Sequence, residues 1–323
     1  MEKINEYIKN VKRVEFTVTH CCTSKCKHCS VGDEKGNESL DIDSATDLLE
    51  ELSKVFEIES VMTFGGEPLL VPDITCAIHK KAKECDIPVR QIITNGFFSK
   101  DNEKINNVAA LLVDSGVNDI MLSVDCFHEE FIPLPKVYMF AEALNKIYQN
   151  KLRLHPAWVI NEENDNSYNR KTKECISYFD ELKLKVSSGN NIFPAGNALK
   201  YLSQYFKKQP IDMNFKCGQA PYTSKLTEIN QISVNPNGDI IVCSFPIGNI
   251  RKQHILDIIS NYDPFRNPYT NALLHGGISE LLTCANNNGM NIDSSKFYTP
   301  CDICHEISKN SNSKKSKHTN REY

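Results

Sequence analysis

The sequence predicts an α/β fold of six strand–helix units followed by a small cysteine-bearing extension. Three observations carry this reading. Short β-branched stretches alternate with helical patterns over the first 200 residues. The alternation then stops, and a hairpin signal and a late cysteine pair take over. The bulk composition, 40% hydrophobic and 24% charged over 323 residues, is that of an ordinary globular protein. Its length suits one large α/β domain, or a domain of roughly 200 residues with a smaller companion.

The strand-like stretches lie at residues 14–21, 60–66, 89–96, 119–126 and 152–160, with a more weakly marked sixth at 184–192. Between them, apolar positions recur at three and four over residues 43–56, 72–85, 102–116, 135–150 and 168–183, the first capped by Asp43 or Ser44. Repeated units of this kind imply a parallel sheet with right-handed crossovers, left open or closed into a partial barrel. Residues 229–245 then read as two strands around the turn Asn235, Pro236, Asn237 and Gly238. Helical patterns at 254–260 and 270–286 and the pair Cys301 and Cys304 complete the chain. The expected boundaries are 1–209 for the first domain, 210–308 for the extension, and 309–323 for a polar, disordered tail.

Net charge −4 gives no electrostatic basis for binding nucleic acid. No apolar run approaches the roughly 18 residues that span a bilayer, so no membrane partner is expected. The polar start "MEKINEYIKNVKR" has no apolar core of a signal peptide. A cytoplasmic location follows as the expectation, and there thiols stay reduced. Thirteen cysteines then point to metal ligands or reactive thiols rather than to disulfides.

Four of them crowd into "VTHCCTSKCKHCSVG", just after the first strand. Cys22, Cys26 and Cys29 form C-x3-C-x2-C, and three thiolates on a tight loop can hold three irons of a [4Fe–4S] cluster with the fourth iron open. Zinc is the alternative, although a closed zinc site wants a fourth ligand close by. Cys21, at the strand end, reads as a buried neighbour of the loop. The next strands end in Gly65, Gly66, Glu67 and Pro68, then in Thr94, Asn95 and Gly96, then in Ser123 and Asp125. Each has an ordinary reading alone, since glycine pairs follow many strands and a serine or aspartate often caps the next turn. In order, at the carboxyl ends of successive parallel strands, they lay out a barrel active site.

This ordered set, across residues 14–200, resembles the radical S-adenosylmethionine (radical SAM) enzymes. The resemblance implies a partial (β/α)6 TIM-like barrel with the [4Fe–4S] cluster on Cys22, Cys26 and Cys29. It implies that Gly65, Gly66, Glu67 and Pro68 meet the amino group of S-adenosylmethionine, with Asn95 at the family's polar turn. Ser123 and Asp125 would take the ribose hydroxyls or the carboxylate, and His28 would lie flat against the adenine. The family's Gly-x-Ile-x-Gly segment is missing at strand five. There Arg153 or His155 would reach the methionine carboxylate, or Arg153 would sit in a salt bridge.

The second cysteine set resembles the twitch and SPASM extensions of that superfamily, a C-terminal β-hairpin/helix region holding auxiliary clusters. Gly238 and Cys243 make G-x4-C, Cys217 lies upstream, and Cys301 and Cys304 make C-x2-C. With five cysteines after residue 210, one auxiliary [4Fe–4S] cluster is the ceiling, on Cys217, Cys243, Cys301 and Cys304, with zinc as the competing occupant. Cys284 reads as core. Cys126, next to Asp125, is a packed strand-end residue or a hydrogen-atom donor. The resemblance implies reductive cleavage of S-adenosylmethionine to a 5′-deoxyadenosyl radical, with electrons from a donor of the flavodoxin or ferredoxin type. The expected substrate is a peptide, matured by crosslinking, oxidation or epimerisation. The last is disfavoured because Ser244, not a second cysteine, follows Cys243. A radical SAM dehydrogenase acting on a small molecule, and a non-catalytic iron–sulfur or zinc protein, are the alternatives.

Overall fold

A computed structural model describes residues 5–32, 36–218 and 224–319. The chain divides into two compact units, one of residues 12–206 and 233–238, the other of residues 1–11, 207–232 and 239–323. The main segment of the first unit ends at Phe206, and the N-terminal segment groups with the extension. Tyr7 explains why: its backbone C=O accepts from the Ile229 N–H at 2.7 Å, and its ring meets Tyr262 and Phe265 edge-on at 6.3 and 6.0 Å. Asn5 Nδ2 adds hydrogen bonds to the carbonyls of Ile259 and Tyr262.

In the first unit, β1 (Arg13–Thr19) is followed by α1 (Ile42–Ser53), β2 (Ser60–Gly65), α2 (Pro72–Glu84), β3 (Val89–Thr94) and α3 (Asn102–Asp114). Then come β4 (Asp119–Leu122), the single turn α4 (Cys126–Glu129), α5 (Leu134–Ile147), β5 (Leu152–Leu154), β6 (Ala157–Trp158) and α6 (Ser167–Ser177). The unit closes with β7 (Lys185–Val186), β8 (Asn190–Asn191) and α7 (Asn197–Tyr201). Neighbouring strands β1, β2, β3, β4, β5 and β7 pair parallel in that order. The core between sheet and helices is mostly aliphatic, with Ile92, Leu112, Ile120, Leu122 and Leu144 fully enclosed around the ring of Phe140. Burial of that kind, about 25 cal/mol per Å² of apolar surface, dominates the stability of such a unit.

The predicted strands five and six are each broken in two. Pro156 has no N–H to donate and interrupts the ladder after His155, and Gly189 interrupts the sixth. Past the breaks pairing resumes as β6 with β8, in a separate two-stranded sheet. Helix α1 also starts earlier than predicted. Its cap is Asp41, whose carboxylate accepts from the Ser44 N–H at 2.8 Å, not Asp43 or Ser44.

Strand β9 (Gln231–Val234) begins in the second unit and runs into the 233–238 segment of the first, while β10 (Asp239–Val242) and β11 (Phe245–Asn249) lie in the second and pair antiparallel. Helices α8 (Ile255–Ser260), α9 (Pro268–Asn287) and α10 (Pro300–Thr319) follow. The Asn235 to Gly238 turn forms as predicted, with the Gly238 N–H on the Asn235 carbonyl at 2.9 Å. Where a disordered tail is expected from residue 309, α10 runs on to Thr319. No glycine or proline follows Pro300 to stop it, and each added residue needs only one more backbone hydrogen bond. Residues 320–323 lie outside the described residues.

Candidate functional site

The chain leaves β1 through Thr19 and enters the cysteine loop. The Cys29 N–H bonds the Cys26 carbonyl at 3.2 Å and the Gly32 N–H bonds the Cys29 carbonyl at 3.2 Å, so the loop folds on itself. Asn197, buried at the start of α7, clamps it from outside. Its backbone N–H reaches the Cys29 carbonyl at 2.9 Å and its Nδ2 the Cys26 carbonyl at 3.1 Å. The preceding Gly196 has φ +51°, and a Cβ there would stand 2.4 Å from the Ser30 carbonyl oxygen. This places the start of α7 directly against the loop.

The second clamp comes from β2, whose last residue is Gly65. A Cβ on Gly66 would stand 2.0 Å from the Cys21 carbonyl oxygen. The contact is glycine-dependent, and it seats the Gly66 and Glu67 N–H groups on the Thr19 and Cys21 carbonyls at 2.7 and 2.8 Å. The glycines thus bring protein backbone up to the cysteine loop. Glu67 is fully buried, and Pro68 opens a single 3-10 turn behind it. Its carboxylate accepts from the Thr94 hydroxyl at 2.6 Å, the Asn95 N–H at 2.8 Å and the Leu69 N–H at 3.0 Å. Burial pushes its pKa up to about 7 against the pull of these donors. Asn95 is thereby aimed at the loop, with Nδ2 3.2 Å from Thr23 Oγ1 and 3.8 Å from Cys22 Sγ.

At the end of β4, Ser123 is half-buried and its N–H bonds the Thr94 carbonyl at 2.8 Å. Asp125 is 1% exposed and turned inward. It caps α4 through the Phe127 and His128 N–H groups at 3.0 Å, accepts the Ala157 N–H at 3.2 Å, and pairs with the His128 ring at 2.9 Å. This pair holds the carboxyl well below the usual range and raises the imidazole well above its own. Sequence reasoning missed His128, although an aspartate followed by histidine three residues later on a predicted turn was the available signal. His28 packs between the rings of Phe127 and His128, 5.0 Å from each. Burial lowers its pKa to about 4, so it stays neutral. Cys26, His28 and His128 bring one ligand atom each within 4.8 Å of one another. Cys126 is buried beside Cys26, Phe127, Ala157 and Val159, its thiol pushed up to about 12 by desolvation.

Arg153 lies away from this cluster of strand ends. Both arms of its guanidinium hold Asp119 at 2.8 Å, at the start of β4, so of the two roles read from the sequence the structure displays the salt bridge. His155, at the end of β5, has Nδ1 on Ser187 Oγ at 2.8 Å.

In the second unit, Cys243 occupies the two-residue turn between β10 and β11 with φ +55°. Its thiol is hydrogen-bonded to that of Cys217, which lowers the Cys217 pKa and raises that of Cys243. Cys304, buried on α10, has its thiol pushed up by desolvation and by Cys243 and Cys301. The four thiols of this set thus converge although they come from 88 residues of chain, 217 to 304. Cys284 is half-buried on α9, with its sulfur 3.6 Å from the Pro268 carbonyl.

The donor chemistry suits iron–sulfur clusters in both places. Three thiols on one loop leave a position open, and four converging thiols leave none. Among the described residues no helix is long and apolar enough to cross a membrane. Comparison with known proteins agrees with this chemistry. The radical SAM superfamily model matches residues 16–176, and a model of an iron–sulfur cluster-binding domain, SPASM, matches residues 226–305. The second match spans Cys243, Cys301 and Cys304 and begins after Cys217. A probable GTP 3′,8-cyclase of Methanocaldococcus jannaschii is 24% identical over 127 residues, 39% of this chain and 40% of that protein. One of Saccharolobus islandicus is 24% identical over 218 residues, 64% of this chain and 68% of that one. The chain thus spans about two fifths of the length of the first relative. Among solved structures, Streptococcus suis SuiB bound to its precursor peptide SuiA covers 91% of this chain and 76% of its own, with TM-score 0.56 and 15% identity. That likeness concerns the fold.

Proposed function

The chain belongs to the radical SAM superfamily and carries a SPASM iron–sulfur region, and from that premise we propose that it matures a peptide by abstracting a hydrogen atom from one of its residues. In this reading Cys22, Cys26 and Cys29 hold the cluster that binds S-adenosylmethionine, and Cys217, Cys243, Cys301 and Cys304 hold the auxiliary one. When bound, the first cluster and S-adenosylmethionine supply a 5′-deoxyadenosyl radical. The protein's own residues orient and enclose. Asn197 and Gly66 fix the loop from two sides, Glu67 aims Asn95 at it, and the Asp125–His128 pair fills the floor beside Cys26. The buried ring of Phe127, with the partly buried ring of Tyr168 stacked on it at 5.0 Å, covers this floor.

The observation that carries a peptide substrate is the segment clamped to the cysteine loop. It leaves Phe193 59% exposed, with Leu199 and Tyr201 also open to solvent. Apolar side chains displayed beside a reactive loop suit the side chains of a peptide. The fold shared with SuiB, a protein solved with its precursor peptide, supports the same reading. Of the three outcomes, epimerisation has least support, because it needs a thiol to return a hydrogen atom and the Cys126 sulfur is packed in the core.

A second reading, a nucleotide substrate, is favoured by the names of the sequence relatives. A triphosphate calls for arginine or lysine clamps, and each of the first unit's four arginines already has an acidic or carbonyl partner. Arg13 holds Glu15, Arg90 the carbonyls of Ile87 and Gly116, Arg153 Asp119, and Arg170 Asp165. The deciding experiment measures 5′-deoxyadenosine formation by anaerobically reconstituted protein with a short peptide encoded beside its gene, and separately with GTP. Stimulation by the peptide, with a change in its mass, supports the reading. Stimulation by GTP alone overturns it.

A further inference from the structure

We propose that the open edge of β8 takes the peptide as an added strand, and so sets which of its residues faces the cysteine loop. The inference rests on the peptide reading and deepens it. In β8 the Asn190 and Ile192 N–H groups point at β6, on the Pro156 and Trp158 carbonyls at 2.9 and 2.8 Å. Alternation along the strand turns the Asn191 N–H and C=O, and then the Phe193 N–H, the other way. None of these outward groups has a partner among the described residues, and both residues are exposed. The far side of β6 is treated differently. Its Ala157 N–H is taken by Asp125 at 3.2 Å, and the Val159 N–H just beyond by Asn169 Oδ1 at 2.9 Å. One edge of the small sheet is thus closed by buried side chains and the other is bare.

The bare edge is also rigid. The buried Trp158 holds the Ser188 carbonyl with its indole N–H at 2.9 Å, and a Cβ on Gly189 would stand 2.2 Å from the Pro156 carbonyl oxygen. A preformed edge loses little freedom on binding. It leads through Phe193 to Gly196 and Asn197, the residues that press on the loop. Alternating backbone donors and acceptors are complemented by an extended main chain, whose side chains fall on opposite faces in turn. One face is that of Ile192, which packs in one cluster with Cys26 and Phe127. The other is that of Phe193, 59% exposed. The residue to be modified lies on the Ile192 face, and its neighbours in the peptide rest against Phe193. A two-residue edge is too small for a lasting contact between copies of the chain, which buries roughly 1,000 Å² or more. It suits a substrate that must leave.

The test is a backbone N-methyl scan of the short peptide encoded beside the gene, assayed by mass change with the full-length, reconstituted protein. Each N-methyl group removes one main-chain donor and alters no side chain. The peptide KM should rise about tenfold, the loss of one hydrogen bond, at every second position around the modified residue and stay level between. Asn191→Pro removes the outward N–H from the protein side and should raise the KM of the unmethylated peptide by a similar factor at parental iron content. Effects without the two-residue period, together with a parental KM in Asn191→Pro, overturn the strand addition and leave the peptide reading standing. A parent protein that does not change the mass of the unmethylated peptide overturns the peptide reading and the proposal with it. A dimer in sedimentation that Asn191→Pro dissolves would assign the edge to a second copy of the chain and overturn the proposal alone.

Discussion

The two cysteine sets solve the same coordination problem in opposite ways. In the first unit three thiols lie within eight residues on one loop, and the surrounding fold has only to hold that loop. In the second unit four thiols are drawn together from residues 217 to 304, so the fold itself brings the ligands to one place. A local set can be assembled before its surroundings pack, whereas a dispersed set couples metal binding to folding. Loss of the metal should therefore weigh differently on the two units.

The largest effect should separate them. In the Cys243→Ala/Cys301→Ala/Cys304→Ala protein, limited proteolysis should cut within residues 207–319 while residues 12–206 resist. In Cys22→Ala/Cys26→Ala/Cys29→Ala neither unit should open, because the loop contributes little to the aliphatic core. Equal protease sensitivity of both units in either protein would erase the contrast.

Next comes the clamp on the local set. Gly66→Ala puts a methyl group 2.0 Å from the Cys21 carbonyl oxygen, with backbone rather than a flexible side chain in its way. A cost of about 3 kcal/mol is expected, read as a lower Tm together with about half the iron bound after reconstitution. Parental iron retention would show that the loop tolerates displacement.

Glu67→Gln should cost about 1–3 kcal/mol in denaturant unfolding, since an amide NH2 cannot accept from every donor that now surrounds the carboxylate. Glu67 also gives a pH signature. Its folded pKa of about 7 stands above the reference 4.5, so the folded state binds the proton more tightly. Its contribution is full below 4.5 and is lost as pH rises through about 7. Parental stability should fall across that window relative to Glu67→Gln, and parallel pH curves for the two proteins would contradict the assignment. The smallest effect belongs to Arg153→Leu. It breaks a half-buried ion pair worth about 1 kcal/mol and should leave S-adenosylmethionine affinity unchanged. Weaker binding in calorimetry would restore Arg153 to the site.

The same contrast explains how much could be read from the chain alone. The βα order and the C-x3-C-x2-C loop are local signals, and the structure follows the order of units. The four-residue hairpin turn is local as well, and it forms where predicted. What escaped depends on distance along the chain or on competition between neighbours. Asp119 lies 34 residues before Arg153, and no periodicity announces that pair. Tyr7 meets Ile229 across more than 200 residues, so the N-terminal segment could not be assigned to the extension. Asp125 was legible as a polar strand end, but its commitment to the α4 cap and to His128 required knowing that the chain turns helical at Cys126. Pro156 stood in plain view within strand five, and its missing N–H was sufficient reason to expect the break.

The most direct test of the central claim is an anaerobic assay of 5′-deoxyadenosine formation with dithionite as reductant. Iron and sulfide are counted on the same samples, with Cys22→Ala/Cys26→Ala/Cys29→Ala beside the parent. We expect about eight irons in the parent and about four in the variant, each [4Fe–4S] cluster holding four, with nucleoside formed by the parent alone. Zinc in place of iron, or nucleoside formed equally by both proteins, would contradict the assignment of the open-site cluster to this loop.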